Sequence, residues 1–123
     1  MKPTELIKEA IKAQTRANAP YSNYPVGAAL LTREGNIIHG CNIESKAYPT
    51  TICAERVAIF SALAQSYRHF SALAIVTEDG GMPCGSCRQI IHEYAGNIPI
   101  YVAKSENNYE SFFTRDLLPF PFG

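Results

Sequence analysis

Hydrophobic residues near the start of the chain recur at helical spacing. Leu6, Ile7, Ala10 and Ile11 make one stripe, while Lys8, Glu9 and Lys12 lie off it. With Thr4 as N-cap, this predicts a helix over Glu5 to Ala17. Asn18 to Pro25 then reads as loop. Two strand-like runs, Val26 to Thr32 and Asn36 to Glu44, flank the turn sequence Arg33-Glu34-Gly35-Asn36, so a hairpin is the natural pairing. After a loop over Ser45 to Ile52, a second helix is expected from Cys53 to Gln65, with Thr50 or Thr51 near its start. Past Arg56 it runs Val57, Ala58, Ile59, Phe60, Ser61, Ala62, Leu63, Ala64 and has no strongly polar face, the pattern of a helix covered on all sides. One sheet cannot cover it in so short a chain. Either another subunit or a second layer packs on it, or its Ala and Ser positions stand exposed. Ser71 to Thr77 is a continuous apolar run, as in a central strand covered on both faces. Cys84 to Tyr94, carrying Ile90, Ile91 and Tyr94, predicts a third helix, and Ile98 to Ala103 a further strand. Only Lys104 to Asn108 separates that strand from Tyr109 to Phe113, too short for a parallel crossover, so these two are expected to pair antiparallel. A helical turn near Arg115 to Leu118 precedes the tail Pro119-Phe120-Pro121-Phe122-Gly123.

No repeat, low-complexity tract or linker divides the chain, so residues 1–123 are read as one domain. A hydrophobic share of 46% with 18% charged residues is the balance of a soluble globular protein. Eleven Lys and Arg cancel eleven Asp and Glu, which leaves no positive field for a nucleic acid polymer or an anionic membrane. The longest mostly apolar run, Val57 to Tyr67, falls well short of the roughly 18 residues of a membrane span. Met1 to Ala10 alternates charged and apolar residues, unlike a signal-peptide core. A cytoplasmic location is expected, where four cysteines stay reduced and serve metal binding or catalysis sooner than disulfides. A domain this small buries only about two-thirds of its unfolded surface, so a metal or partner subunits would add stability.

The chemistry concentrates in Cys53-Ala54-Glu55 and Pro83-Cys84-Gly85-Ser86-Cys87, both at predicted helix beginnings. Cys84 and Cys87, three apart, share a helix face, and Cys53 on a second helix completes a set of three thiols. Taken alone, Cys84-x-x-Cys87 is also compatible with a redox pair or half of a structural zinc site. Three thiolates bind zinc well and leave a fourth tetrahedral position for water, the arrangement of a catalytic site. Three thiolates and one Zn²⁺ sum to −1, and Arg56 and Arg88, each following a ligand, are the proposed offset, helped by the two helix N-termini. Glu55 stands two residues from Cys53, placed to move protons beside the metal without binding it. Cys41 is expected to be a buried, inert thiol on the far face of its strand, and no role is assigned to His39 or His69. Asn42 and Glu44, two apart on a strand, project from one face at about 7 Å and make a fork for sugar hydroxyls, or are ordinary edge-strand polar residues.

A ligand two residues before a catalytic Glu, followed by Pro-Cys-x-x-Cys, is the layout of the zinc deaminases. Over nearly its full length the chain resembles the small homotetrameric cytidine deaminases. The matching segments are Ala19-Pro-Tyr-Ser, Val26-Gly-Ala-Ala-Leu-Leu, Gly40-Cys-Asn-Ile-Glu, Cys53-Ala-Glu-Arg, Pro83-Cys-Gly-x-Cys-Arg-Gln and Leu117-Leu-Pro. The resemblance implies one zinc per subunit on Cys53, Cys84 and Cys87, with Glu55 catalytic. It implies hydrolytic deamination of cytidine, and of deoxycytidine, in pyrimidine salvage. It assigns Asn42 and Glu44 to the ribose 3′-hydroxyl, Tyr24 to packing on base and sugar where relatives usually carry Phe, and the Ala54 backbone to the base edge. Phe122 matches an aromatic that relatives insert into a neighbouring subunit, so active sites in a homotetramer would be shared. Phe120 and Phe122 covering the chain's own core is the simpler alternative. Ser45-Lys46-Ala47-Tyr48-Pro49-Thr50 departs from the family pattern, and Pro49 restricts that loop, which leaves a modified cytosine nucleoside as the alternative substrate. A non-catalytic zinc or redox module would give Glu55, Asn42 and Glu44 no task. The fold expected is a three-layer α/β/α domain with a five-stranded mixed sheet and the two cysteine-bearing helices side by side.

Overall fold

Five strands form one mixed sheet in the computed structural model, which describes residues 1–123. They are β1 (Gly27–Thr32), β2 (Ile37–Cys41), β3 (Phe70–Val76), β4 (Pro99–Ser105) and β5 (Asn108–Phe113), in the spatial order β2-β1-β3-β4-β5. β1 pairs antiparallel with both β2 and β3, β3 and β4 are parallel, and β4 and β5 are antiparallel. The expected hairpins, β1–β2 and β4–β5, both form. The helices are α1 (Pro3–Gln14), α2 (Ala54–Ala64), α3 (Gly85–Ile90) and the single turn α4 (Thr114–Leu117), with a short 3₁₀ turn at Tyr48–Thr50. No helix is long and apolar enough to cross a membrane.

Alternation along the strands sends side chains to two separate cores, which produces the three layers. Ala29, Ala74, Val76 and Ala103 face α1, whose Leu6, Ile7 and Ala10 are fully buried. Ala28, Leu30, Leu73, Ile75, Ile100 and Val102 face the other way, against Ala58, Ile59 and Ala62 of α2 and Ile91 beyond α3. Each fully buried Leu or Ile contributes about 1.5–3 kcal/mol of transfer free energy. Two glycines set how close the helices sit. A Cβ on Gly27 would come within 2.0 Å of the Ala10 carbonyl oxygen, and one on Gly40 within 2.2 Å of the Ala54 carbonyl oxygen. Only a bare backbone lets α1 rest on β1, and lets the first turn of α2 rest on β2.

Several expectations need correction. Helix α1 starts at Pro3, where a missing N–H costs nothing, so Thr4 lies inside the first turn and does not cap it. The second strand ends at Cys41. Ile43 exchanges both backbone hydrogen bonds with Ile52 at 3.0 Å in an isolated bridge, so Asn42 and Glu44 lie beyond the strand end and not within it, though both line one cavity. Past Ile90 the third helix widens into a π-helical turn, Ile91–Ala95, stopped by Gly96 at φ +79°. Within one chain α2 is not covered on all sides: Phe60 and Ala64 are exposed and Val57 and Ser61 half-buried.

Candidate active site

Topology brings the cysteines together. Since β2 and β3 both run opposite to β1, they run the same way, and their carboxyl ends lie on one edge of the sheet, a strand apart. The chain leaving β2 enters α2 through Cys53, and the chain leaving β3 enters α3 through Cys84, each cysteine being the N-cap of its helix. The segment before β1 reaches the same edge, and it carries Tyr24. This is the carboxyl-end crevice of an α/β sheet, with two helix N-termini pointing at it.

The Cys53 and Cys84 sulfurs are 4.0 Å apart, those of Cys84 and Cys87 are 3.3 Å apart, and all three lie within 4.8 Å of one another. None is in a disulfide. Tetrahedral zinc with Zn–S bonds of ~2.3 Å spaces its sulfurs about 3.8 Å apart, so the two direct separations bracket what zinc requires. The donor set fits zinc and forms a cluster without any change of backbone. Cys41 stands outside it. Half-buried and not fully buried as expected, its thiol points at the Arg16 carbonyl oxygen, 3.5 Å away.

The trio shares its protons unequally. A hydrogen bond from Cys87, reinforced by the Arg56 guanidinium, pulls the Cys53 thiol down to about 5. The same bond to Cys53, together with burial, pushes Cys87 up. Arg56 Nη2 lies 3.4 Å from Cys53 Sγ, where the charge offset was expected, while its buried Nε has no partner. Arg88 does not share that duty. Its Nε donates to the Pro83 carbonyl at 2.8 Å and its Nη1 to that of Leu117 at 2.9 Å, so its guanidinium ties the loop before Cys84 to α4 instead of meeting a sulfur.

Glu55 is 4% exposed and lines a cavity of about 300 Å³ whose wall also includes Cys53, Ala54 and Cys84. Burial raises its pKa, opposed by hydrogen bonding to its own backbone and to Cys87. The opposite wall holds Tyr24, Asn42 and Glu44. Asn42 is pinned: its Oδ1 accepts from Val26 N–H and its Nδ2 donates to the Tyr24 carbonyl, both at 2.9 Å. One N–H and one lone pair remain free for a ligand. Glu44 accepts from the backbone N–H groups of Tyr21 and Ser22 at 3.0 and 3.1 Å and from the Ser22 hydroxyl, which hold its carboxyl below the usual range. Phe122 is not brought to this cavity; its backbone is bound by Gln89 while its ring stays 89% exposed. Covering the chain's own core is therefore excluded for Phe122. Ser22, Thr51, Gly81 and Met82, from loops with no periodic signal, and Thr77, at the end of the apolar run of β3, also line the cavity and were not anticipated.

A three-layer α/β/α sheet with three thiols and a buried carboxylate at its carboxyl edge defines a zinc-site enzyme. The chain belongs to the family of the cytidine and deoxycytidylate deaminase zinc-binding region, whose model matches residues 1–103. It is 47% identical to a cytidine deaminase of Sporosarcina psychrophila over 121 residues, covering 96% of this chain and 89% of that one. A cytidine deaminase of Halalkalibacterium halodurans is 41% identical over 120 residues, 95% of this chain and 91% of the relative. Among solved structures, the cytidine deaminase of Burkholderia pseudomallei superposes with a TM-score of 0.93 at 42% identity, covering 99% of this chain and all of that one.

Proposed function

We propose that residues 1–123, acting as one domain, deaminate cytidine and deoxycytidine hydrolytically to uridine, deoxyuridine and ammonia, as a step of pyrimidine salvage in the cytoplasm. The observation that carries this is the convergence of Cys53, Cys84 and Cys87, two of which, Cys53 and Cys84, line a cavity that also holds buried Glu55. Zinc, when bound by those three sulfurs, supplies a Lewis acid that makes water nucleophilic at neutral pH. Arg56 neutralises part of the thiolate charge. Glu55 takes a proton from the attacking water and gives it to N3 of the ring as C4 is attacked. It then carries the remaining hydroxyl proton to the C4 amine, which leaves as ammonia while the C4 carbonyl forms. Burial, by raising its pKa, suits Glu55 to hold a proton between these two transfers.

Asn42 and Glu44 hold the sugar hydroxyls, Tyr24 packs on base and sugar, and the Ala54 backbone meets the base edge. No Lys or Arg lines the cavity, while Glu44 and Glu55 do, which favours a free nucleoside over a nucleotide. Phe122 and the exposed stripe of α2 are the parts that want a neighbour. A homotetramer packed through Val57, Phe60 and Ala64 would cover the stripe and let Phe122 stack on the base in the next subunit. The direct test follows ultraviolet absorbance of cytidine with zinc-loaded protein, with and without a chelator. Conversion that stops on chelation is expected; no conversion of cytidine by zinc-loaded protein overturns the reading, and activity confined to N4-substituted cytidines would move it to a modified substrate.

A further inference from the structure

The cavity has two walls built by segments 55 residues apart, and one hydrogen bond joins their rims. Tyr24 Oη donates to Asp79 Oδ1 at 2.6 Å. That same oxygen accepts from Gly81 N–H at 3.0 Å and from the Thr77 hydroxyl at 3.3 Å, and Thr77 Oγ1 accepts from Gly81 N–H at 2.7 Å. Asp79 is thus the knot of the loop that follows β3 and leads through Met82 and Pro83 into Cys84. Tyr24 ties this knot to the other side of the cavity. The fit is close: a Cβ on Gly81 would lie 2.5 Å from Tyr24 Oη. Tyr24, Gly81 and Met82 all line the cavity, whereas Asp79 does not.

We infer that the Tyr24–Asp79 bond is a clasp that fixes the spacing of the two cavity walls, which makes Asp79 a positioning residue for the nucleoside. Without the clasp the Tyr24 ring is free to tilt and the loop over Gly81 and Met82 to swing outward. Neither group takes part in proton transfer at C4, so loss of the clasp falls on binding and spares chemistry. The inference rests on the proposed nucleoside activity, and the experiment separates the two.

Tyr24→Phe, Asp79→Ala, Asp79→Asn and the double variant Tyr24→Phe/Asp79→Ala are compared with wild type for kcat and KM on cytidine, zinc content, and hydrogen–deuterium exchange of residues 78–82. Removing one charge-assisted hydrogen bond is expected to raise KM about three- to tenfold with kcat within about twofold. Asp79→Asn, which keeps an acceptor, should restore most of the loss, and the double variant should be no worse than Tyr24→Phe. Exchange at 78–82 should speed up in Tyr24→Phe at unchanged zinc content. Wild type inactive on cytidine would sink the activity, and the exchange result would then decide the clasp by itself. Unchanged KM and unchanged exchange in Tyr24→Phe, or additive losses in the double variant, would overturn the clasp.

Discussion

The two helical layers of this molecule are built to different standards of completeness. On the α1 side a stripe of Leu6, Ile7, Ala10 and Ala13 is fully buried, charged residues face outward, and the layer closes within one chain. On the α2 and α3 side the sheet face is covered equally well, yet Phe60 remains 38% exposed, and Phe120 and Phe122 stand 92% and 89% exposed. All three thiols of the cluster and Glu55 belong to that second layer, and α1 holds none of them. The difference teaches that the layer nearest the chemistry is also the one left open to a partner. Stability is satisfied locally in the first layer, while the second keeps apolar rings exposed beside the site.

The largest effect should come from the open layer. Glu55→Gln preserves shape and removes the proton carrier, so turnover of cytidine should fall about 10²- to 10⁴-fold with about one zinc per chain retained. Metal analysis beside the ultraviolet assay reads both numbers. A variant that keeps near-wild-type turnover would take Glu55 out of the mechanism. No single substitution on the outer face of α1 should approach this.

Next in size is the exposed stripe of α2, proposed above as the partner face. Phe60→Asp puts a charge where an apolar ring stands and should weaken self-association by about 2 kcal/mol or more. Sedimentation or light scattering should then report smaller particles, with activity falling as Phe122 loses its host. An unchanged particle mass would mean that α2 is not the contact face. The α1 layer offers the control, since Lys8→Ala on its exposed side should leave mass and activity alone.

How much of this could be read from residues alone follows the same division. The α1 stripe carries its own periodicity and the continuous apolar run of β3 marks a strand covered on both faces, so both elements were legible. The cysteine and glutamate positions were legible because helix N-termini and three-residue spacing fix where such side chains go. What escaped depends on loops. Asn42 and Glu44 were expected on a strand, but the strand ends at Cys41 and they flank an isolated bridge between Ile43 and Ile52. Arg88 sits beside a ligand in sequence, yet the carbonyls of Pro83 and Leu117 take its guanidinium, and only the docking of α4 brings the second one near. Asp79 belongs to no motif; its importance comes from Tyr24 on the far side of the cavity.

Smaller effects come from the two glycines on which the layers rest. Gly27→Ala and Gly40→Ala each force a Cβ into helix backbone, and each should destabilise by about 1–3 kcal/mol. Their second consequence should differ. Gly40→Ala pushes on the Ala54 carbonyl and Ala58, shifting the turn that holds Cys53 and Glu55, so zinc content and kcat should fall. Gly27→Ala pushes on Ala10 and Gln14 and should leave zinc content intact. Equal zinc loss in both would mean that the layers are not separable.

The smallest effect is a pH dependence confined to the closed layer. Glu9 is hydrogen-bonded to the Lys12 ammonium at 3.0 Å and to His39 Nε2 at 2.8 Å, and these contacts hold its pKa below the ordinary 4.5. The unfolded chain therefore binds more protons than the folded one between the two values. Stability from this group is fully present above about pH 4.5 and drains away as pH falls through the folded pKa. Glu9→Gln should melt slightly below wild type at pH 7, and the two curves should converge as pH falls below 4.5 and through the folded pKa. Cytidine turnover at pH 7 should be unchanged, since nothing in the α1 layer reaches the cavity. A gap in melting temperature that does not narrow as pH falls below 4.5 would assign the loss to packing and not to the charge, while a drop in turnover would couple the two layers.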